Sequence, residues 1–167
     1  MRRTLTTLAL ALAVLAFASL GQAQDATFAT RSLTPETALT AARAALESCR
    51  KEGFQVGVAV VDRAGVLQVL LRDRFAGAHT VEIATNKAWT AASFKIPTTA
   101  LATETQAGRS MSGIRNIPRV LAAGGGLPIE AGGALLGAIA VSGASGGEAD
   151  DRCAQAGVKA IAAAIEF

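Results

Sequence analysis

The only histidine of the chain, His79, stands in Gly77-Ala-His-Thr-Val-Glu82, where a loop gives way to a helical pattern. An imidazole is a good iron ligand, and a histidine beside a loop can reach a cofactor. The same residue can instead cap the helix or lie on its surface. His79 and Glu82 are three apart and share a helix face, a spacing that permits weak metal binding but does not make a metal site. One turn further, Ile83, Lys87, Thr90 and Phe94 fall on one stripe, so a lysine interrupts a mostly apolar line. Such a lysine either snorkels past the core to water or meets an anion in a pocket. A later segment, Gln106 to Pro118, holds Arg109, Ser110, Met111, Arg115 and Asn116 among glycines and reads as a loop. Met111 there is either a soft iron ligand or a packing residue, and Arg115 is a possible ligand contact on a solvated loop.

Other chemistries are poorly supplied. Gly124-Gly-Gly126 lacks the Lys-Ser/Thr and the helix that a phosphate-cradling loop requires, and Leu127-Pro-Ile129 follows it instead. These glycines are better explained by close chain approach or positive φ. Ser142 and Ser145 are not set in a nucleophile elbow, and His79 precedes both, which argues against a serine hydrolase. Zinc is disfavoured because His79 alone would join the two thiols. With 16 basic and 13 acidic residues, the chain carries a formal charge of +3 and no basic run, which gives little reason to expect nucleic-acid binding.

The elements that must position these residues follow from pattern. Arg2 and Arg3, an uncharged apolar run from Leu5 to Leu20, and Gly21-Gln-Ala23 read as a secretory signal peptide over residues 1–23. Residues 1–23 carry two basic residues and no acid, so their removal takes the net charge from +3 to +1. The expectation is a periplasmic or secreted protein with no stable membrane anchor after cleavage. Residues 24–33 are a lead into a domain over 34–167. Thr34-Pro-Glu36 opens a helix as cap, first-turn proline and dipole-facing acid, with Leu39, Ala42, Leu46 and Cys49 on its buried stripe. A last helix, from about Gly147, places Cys153, Gly157, Ala160 and Ala164 on one face. Two cysteines on buried stripes of an exported chain predict a Cys49–Cys153 disulfide, the alternative being two inert thiols. Between these helices lie a hairpin turning at Asp62-Arg-Ala-Gly65, helices over Thr80–Lys95 and Thr98–Thr105, and a second hairpin around Gly132-Gly133. On the first strand, Val56, Val58 and Val60 face one way and Gly57, Ala59 and Val61 the other, so both faces are covered and one of them closely. The order predicts a single α+β domain, an antiparallel β-sheet flanked by helices.

Four segments in this order, Val60-Val-Asp-Arg-Ala-Gly65, Asn86-Lys-Ala-Trp-Thr-Ala91, Gly124-Gly-Gly-Leu-Pro-Ile129 and Gly137-Ala-Ile-Ala-Val-Ser-Gly-Ala-Ser-Gly146, resemble the GlcG/HbpS-type haem-binding and haem-degrading domains, which include the C-terminal domain of PduO-type proteins. The resemblance runs from about Thr34 to Ile165. It implies a profilin- or PAS-like topology, haem as cofactor and assembly into a homo-oligomer. It also raises the reading in which Lys87 meets a haem propionate or a small carboxylate. Under it, His79, Lys87, Met111 and Arg115 are the candidate cofactor contacts, with His79 as iron ligand. The functional expectation is an exported protein that binds haem or a related small anionic ligand. The alternatives are a haem-degrading or small-carboxylate-converting enzyme, disfavoured by the want of an acid–base pair or nucleophile, and a cofactor-free accessory or sensor module.

Overall fold

Helix α1 (Pro35–Lys51) begins as its cap residues dictate: Thr34 Oγ1 accepts the Thr37 N–H at 3.2 Å, and proline fills the first helical position. The computed structural model describes residues 26–166, so the signal-peptide expectation over residues 1–23 lies outside the described residues. The helix closes at Glu52, and Gly53 follows at φ 84°, a left-handed conformation that costs glycine little. Strands β1 (Gly57–Asp62) and β2 (Leu67–Arg72) form the first hairpin. Asp62 Oδ1 closes its turn by accepting the N–H groups of Ala64 at 2.8 Å and Val66 at 2.9 Å. Helices α2 (His79–Phe94) and α3 (Thr98–Glu104) follow, and then a 3-10 turn (Ser112–Asn116) inside the segment expected to be loop. Strands β3 (Gly126–Ala131) and β4 (Ala134–Ser142) make the second hairpin, and α4 (Gly147–Ile165) ends the chain.

The two hairpins lie side by side in a four-stranded antiparallel sheet of order β2-β1-β4-β3. The central pairing runs from Gly57 opposite Ser142 to Asp62 opposite Gly137. On one face α1 and α4 pack together over Val56, Val58, Val60, Ile139 and Val141. The Cys49–Cys153 disulfide joins these two helices. On the other face α2 sets Ala84, Ala88, Ala91 and Ala92 against Ala59, Val61, Ala138 and Ala140. Gly57 explains how close that layer comes, since a Cβ there would lie 2.9 Å from the Thr80 carbonyl oxygen. The α+β class, the antiparallel sheet and its covering on both faces are therefore as the sequence implies.

Some faces differ from expectation. On α1 the fully buried residues are Ala38, Ala41, Ala42, Ala45 and Cys49, whereas Leu39 is only half-buried. On α4, Ala160 and Ala164 are exposed, and Ala154, Gly157 and Ile161 are buried with Cys153. In runs so rich in alanine several stripes are equally apolar, and the close helix–helix contact selects the one with least side-chain bulk. Strand β1 also starts later than its apolar pattern, because the Phe54 N–H is taken by the Cys49 carbonyl at the end of α1.

A buried carboxylate fixes α1 to the segment after β2. Arg50 donates from Nε and Nη2 to Asp73 at 2.7 and 2.8 Å, and the Arg74 N–H adds a third bond. The Arg50 hydrogen bonds, helped by Arg74 and opposed by burial, lower the Asp73 carboxyl from 3.8 to about 2. The unfolded chain therefore binds this proton more readily than the folded one. Its stabilisation is complete above about pH 5 and is lost as pH falls through the folded value. Urea unfolding between pH 6 and 2 should show a steep loss of stability below pH 4 in the native protein. The loss should be shallower in Asp73→Asn, and equal slopes would show that the pair carries no linkage.

Candidate functional site

His79 is the first residue of α2, and its side chain is exposed. No side chain caps this helix: Ala78 stands at the N-cap in a helical conformation, so His79 does not serve as a helix cap. The ring lies against Gly77, where a Cβ would come within 2.5 Å of it. Four residues earlier on the same connection Phe75 is 80% exposed. Among the described residues no group of three His, Cys, Asp or Glu side chains could hold a metal ion, and Glu82 does not form such a group with His79.

Lys87 does not reach water. Its side chain is 5% exposed, and Nζ donates to Asp150 Oδ2 at 2.8 Å and to the Val141 carbonyl at 3.1 Å. The anion it meets is the chain's own. Asp150 comes from the first turn of α4, and its other oxygen accepts the Ala144 N–H at 3.0 Å. Gly125, at φ 117°, lies against both side chains, and a Cβ there would be 2.8 Å from Lys87 Nζ and 2.5 Å from the Val141 oxygen. The neighbouring amides are also used internally. Gly125 N–H donates to Asp151 Oδ1 at 2.6 Å, Gly126 N–H donates to Thr98 Oγ1 at 2.8 Å, and Thr99 Oγ1 donates to Asp151 Oδ2. The glycine run is thus a junction between α2, α3, β4 and α4, and these two amides are spent on bonds within the chain.

The loop residues lie elsewhere. Arg115 donates from Nε to the Thr105 carbonyl and hydroxyl at 2.8 and 2.9 Å, and from Nη2 to the Ala102 carbonyl at 2.9 Å. It therefore closes the C-terminal end of α3, where a cation meets free carbonyls. Arg115 also lines an open groove of about 440 Å³ with Thr105, Gly108, Ser112, Gly113 and Asn116. Met111, immediately before the 3-10 turn, is half-buried. His79 and Lys87 are not among the groove's lining residues, so the four sequence candidates do not converge around it.

Sequence reasoning missed the partners Asp150 and Asp151, and also Arg119. Arg119 stands at φ 78° with its guanidinium 5.1 Å from the centre of the Trp89 ring. Together with the Leu121 N–H bonded to Thr90 Oγ1 at 3.0 Å, it ties the segment before β3 down onto α2. Trp89 was visible in a motif segment, but nothing in the sequence signalled that an arginine thirty residues on would cover it.

The profile of the haem-degrading HbpS-like proteins matches residues 33–159. The chain belongs to this HbpS-like family. Its fold is similar to that of a double Glu-to-Asp variant of Streptomyces reticuli HbpS, with a TM-score of 0.76 and 40% identity over 80% of this chain and 89% of that one. It also resembles the Klebsiella pneumoniae protein ORFY, with a TM-score of 0.79 and 29% identity over 82% of this chain and 95% of that one. A third similar structure is a PduOC–haem complex, with a TM-score of 0.73 and 31% identity over 78% of this chain and 95% of that one. No curated protein sequence matches the chain.

Proposed function

We propose that this HbpS-like chain is an exported haem-binding protein that works as a homo-oligomer in the periplasm or after secretion, with His79 as iron ligand. The observation that carries the reading is the family match over residues 33–159, taken with a relative of the same fold whose solved structure is a haem complex. The donor set fits. A free metal ion needs several protein ligands, whereas haem brings four nitrogens of its own and would need as little as one donor from the protein. His79 offers an exposed imidazole, and the neighbouring exposed Phe75 offers apolar surface to a planar macrocycle. Haem bound here would supply a redox-active iron, with His79 as the residue that would hold it and Phe75 as apolar surface beside it. Export rests on the apolar leader of the sequence, and self-association on the family resemblance.

Titration of the purified protein with haem should give a saturable Soret change near one haem per subunit or per dimer, with light scattering reporting an oligomer. In His79→Ala the band should shift or collapse. An unchanged band would remove His79 as ligand, and no band beyond that of a non-binding control protein would reject haem. The family's description also favours haem degradation, a reaction in which iron and reductant carry most of the chemistry. That reading requires product formed faster than by free haem under the same reductant.

A further inference from the structure

We propose that the groove between the end of α3 and the Ser112–Asn116 turn is a carboxylate-binding subsite anchored by Arg115. The clause that a propionate of haem fills it rests on the haem reading, but the subsite itself does not.

Arg115 is the one charged residue among those that line this groove. From Ile83 to Ile129 the chain holds one acid, Glu104, against Lys87, Lys95, Arg109, Arg115 and Arg119. Lys87 is neutralised internally by Asp150, and Arg109 lies 3.6 Å from Glu104. Arg115 differs from both: its three acceptors are uncharged oxygens, and it forms no ion pair with a carboxylate among the described residues. A guanidinium has five N–H donors. The bonds from Nε and Nη2 leave the pair on Nη1 and one on Nη2 free while holding the fork in place. A fixed fork loses little freedom when it takes a carboxylate, and its planar geometry matches two carboxylate oxygens.

The rest of the lining suits the same ligand. Ser112 and Asn116, both residues with polar side chains, also line the groove, and a Cβ placed on Gly108 or Gly113 would meet nothing within 4 Å. With Lys87 turned inward, the role of receiving an anionic group passes to Arg115. The shared chemistry is a carboxylate, either a haem propionate or a free small carboxylic acid.

The test uses Gly113→Asp, which adds a negative charge to the groove at a position with open space that takes no part in the Arg115 bonds. The probes are succinate, followed by amide NMR shifts at Gly108 and Asn116, and haem against haem dimethyl ester, followed by Soret absorbance. Saturable succinate shifts, weakened at least tenfold in Gly113→Asp with an unchanged melting temperature, establish the subsite for a free acid. Haem binding at least tenfold tighter than its dimethyl ester, with the gap closed in Gly113→Asp, establishes it for a propionate. Succinate shifts without any haem binding leave the subsite standing and reject the haem reading. The subsite is overturned if succinate moves neither amide and haem and its ester bind alike, or if Gly113→Asp alters neither response.

Discussion

Lys87→Met and Asp150→Asn should each destabilise the fold by about 3–5 kcal/mol, the usual cost of leaving one member of a buried ion pair without its partner. The two side chains are 5% and 6% exposed, so neither charge is rescued by water when the other is removed. In Lys87→Met the Asp150 carboxylate keeps only the Ala144 N–H among its hydrogen bonds. In Asp150→Asn the ammonium keeps the Val141 carbonyl and faces an uncharged amide. Gly125 presses on the same space, so neither segment can swing aside to admit solvent without breaking the pairing of Val141 N–H with the Gly125 carbonyl. The double variant removes both charges and should lose less than the sum of the singles by more than about 1 kcal/mol, the mark of residues in direct contact. Urea unfolding of the three variants checks this. Single losses below about 1 kcal/mol, or strictly additive ones, would mean that the pair does not hold α2 to the start of α4.

The same pair shows where sequence reading stops. That a lysine interrupts the apolar stripe of α2 is local information, and it is visible in Ile83, Lys87, Thr90 and Phe94. Its partner lies 63 residues further along the chain, beyond a whole hairpin, and no periodicity connects them. Asp150 was legible only as an acid near a helix start, a bland feature in itself. The turns were legible because their residues act locally: Gly65 at φ 79°, and Gly132 and Gly133 at 55° and 74°, take conformations that other residues resist. The central pairing of β1 with β4 is non-local, and neither turn chemistry nor periodicity marks which strands of the two hairpins meet. The candidate site was the least legible part. Residue types named the possible ligands His79, Met111 and Arg115, but whether a side chain is exposed, buried or already bonded depends on tertiary contacts. Arg115 looked like a solvated loop residue, and its bonds to Thr105 and Ala102 appear only once α3 and the 3-10 turn are brought together.

Removing the disulfide, as Cys49→Ala with Cys153→Ala, should lower stability by about 2–5 kcal/mol. The bridge spans 104 residues, and in the chain-entropy account a loop of that length lies near the upper end of the range. It joins α1 to α4, the two helices that cover one face of the sheet, so the restriction acts on both ends of the domain at once. Both cysteines are fully buried, and a reductant reaches the sulfurs only when the helices separate. Reduction by dithiothreitol should therefore be slow in buffer and should accelerate in parallel with unfolding as urea is added. Fast reduction of the folded protein would contradict the burial of the bridge. Two free thiols found by mass spectrometry in native protein prepared without reductant would show that the bridge does not form. Two alanines should fit the space left by the sulfurs with only a small void, because the flanking Ala42, Ala45 and Ala154 already hold the helices close. The loss should thus act mainly through the unfolded chain, so the double variant should unfold at lower urea with its helix content and its haem response intact.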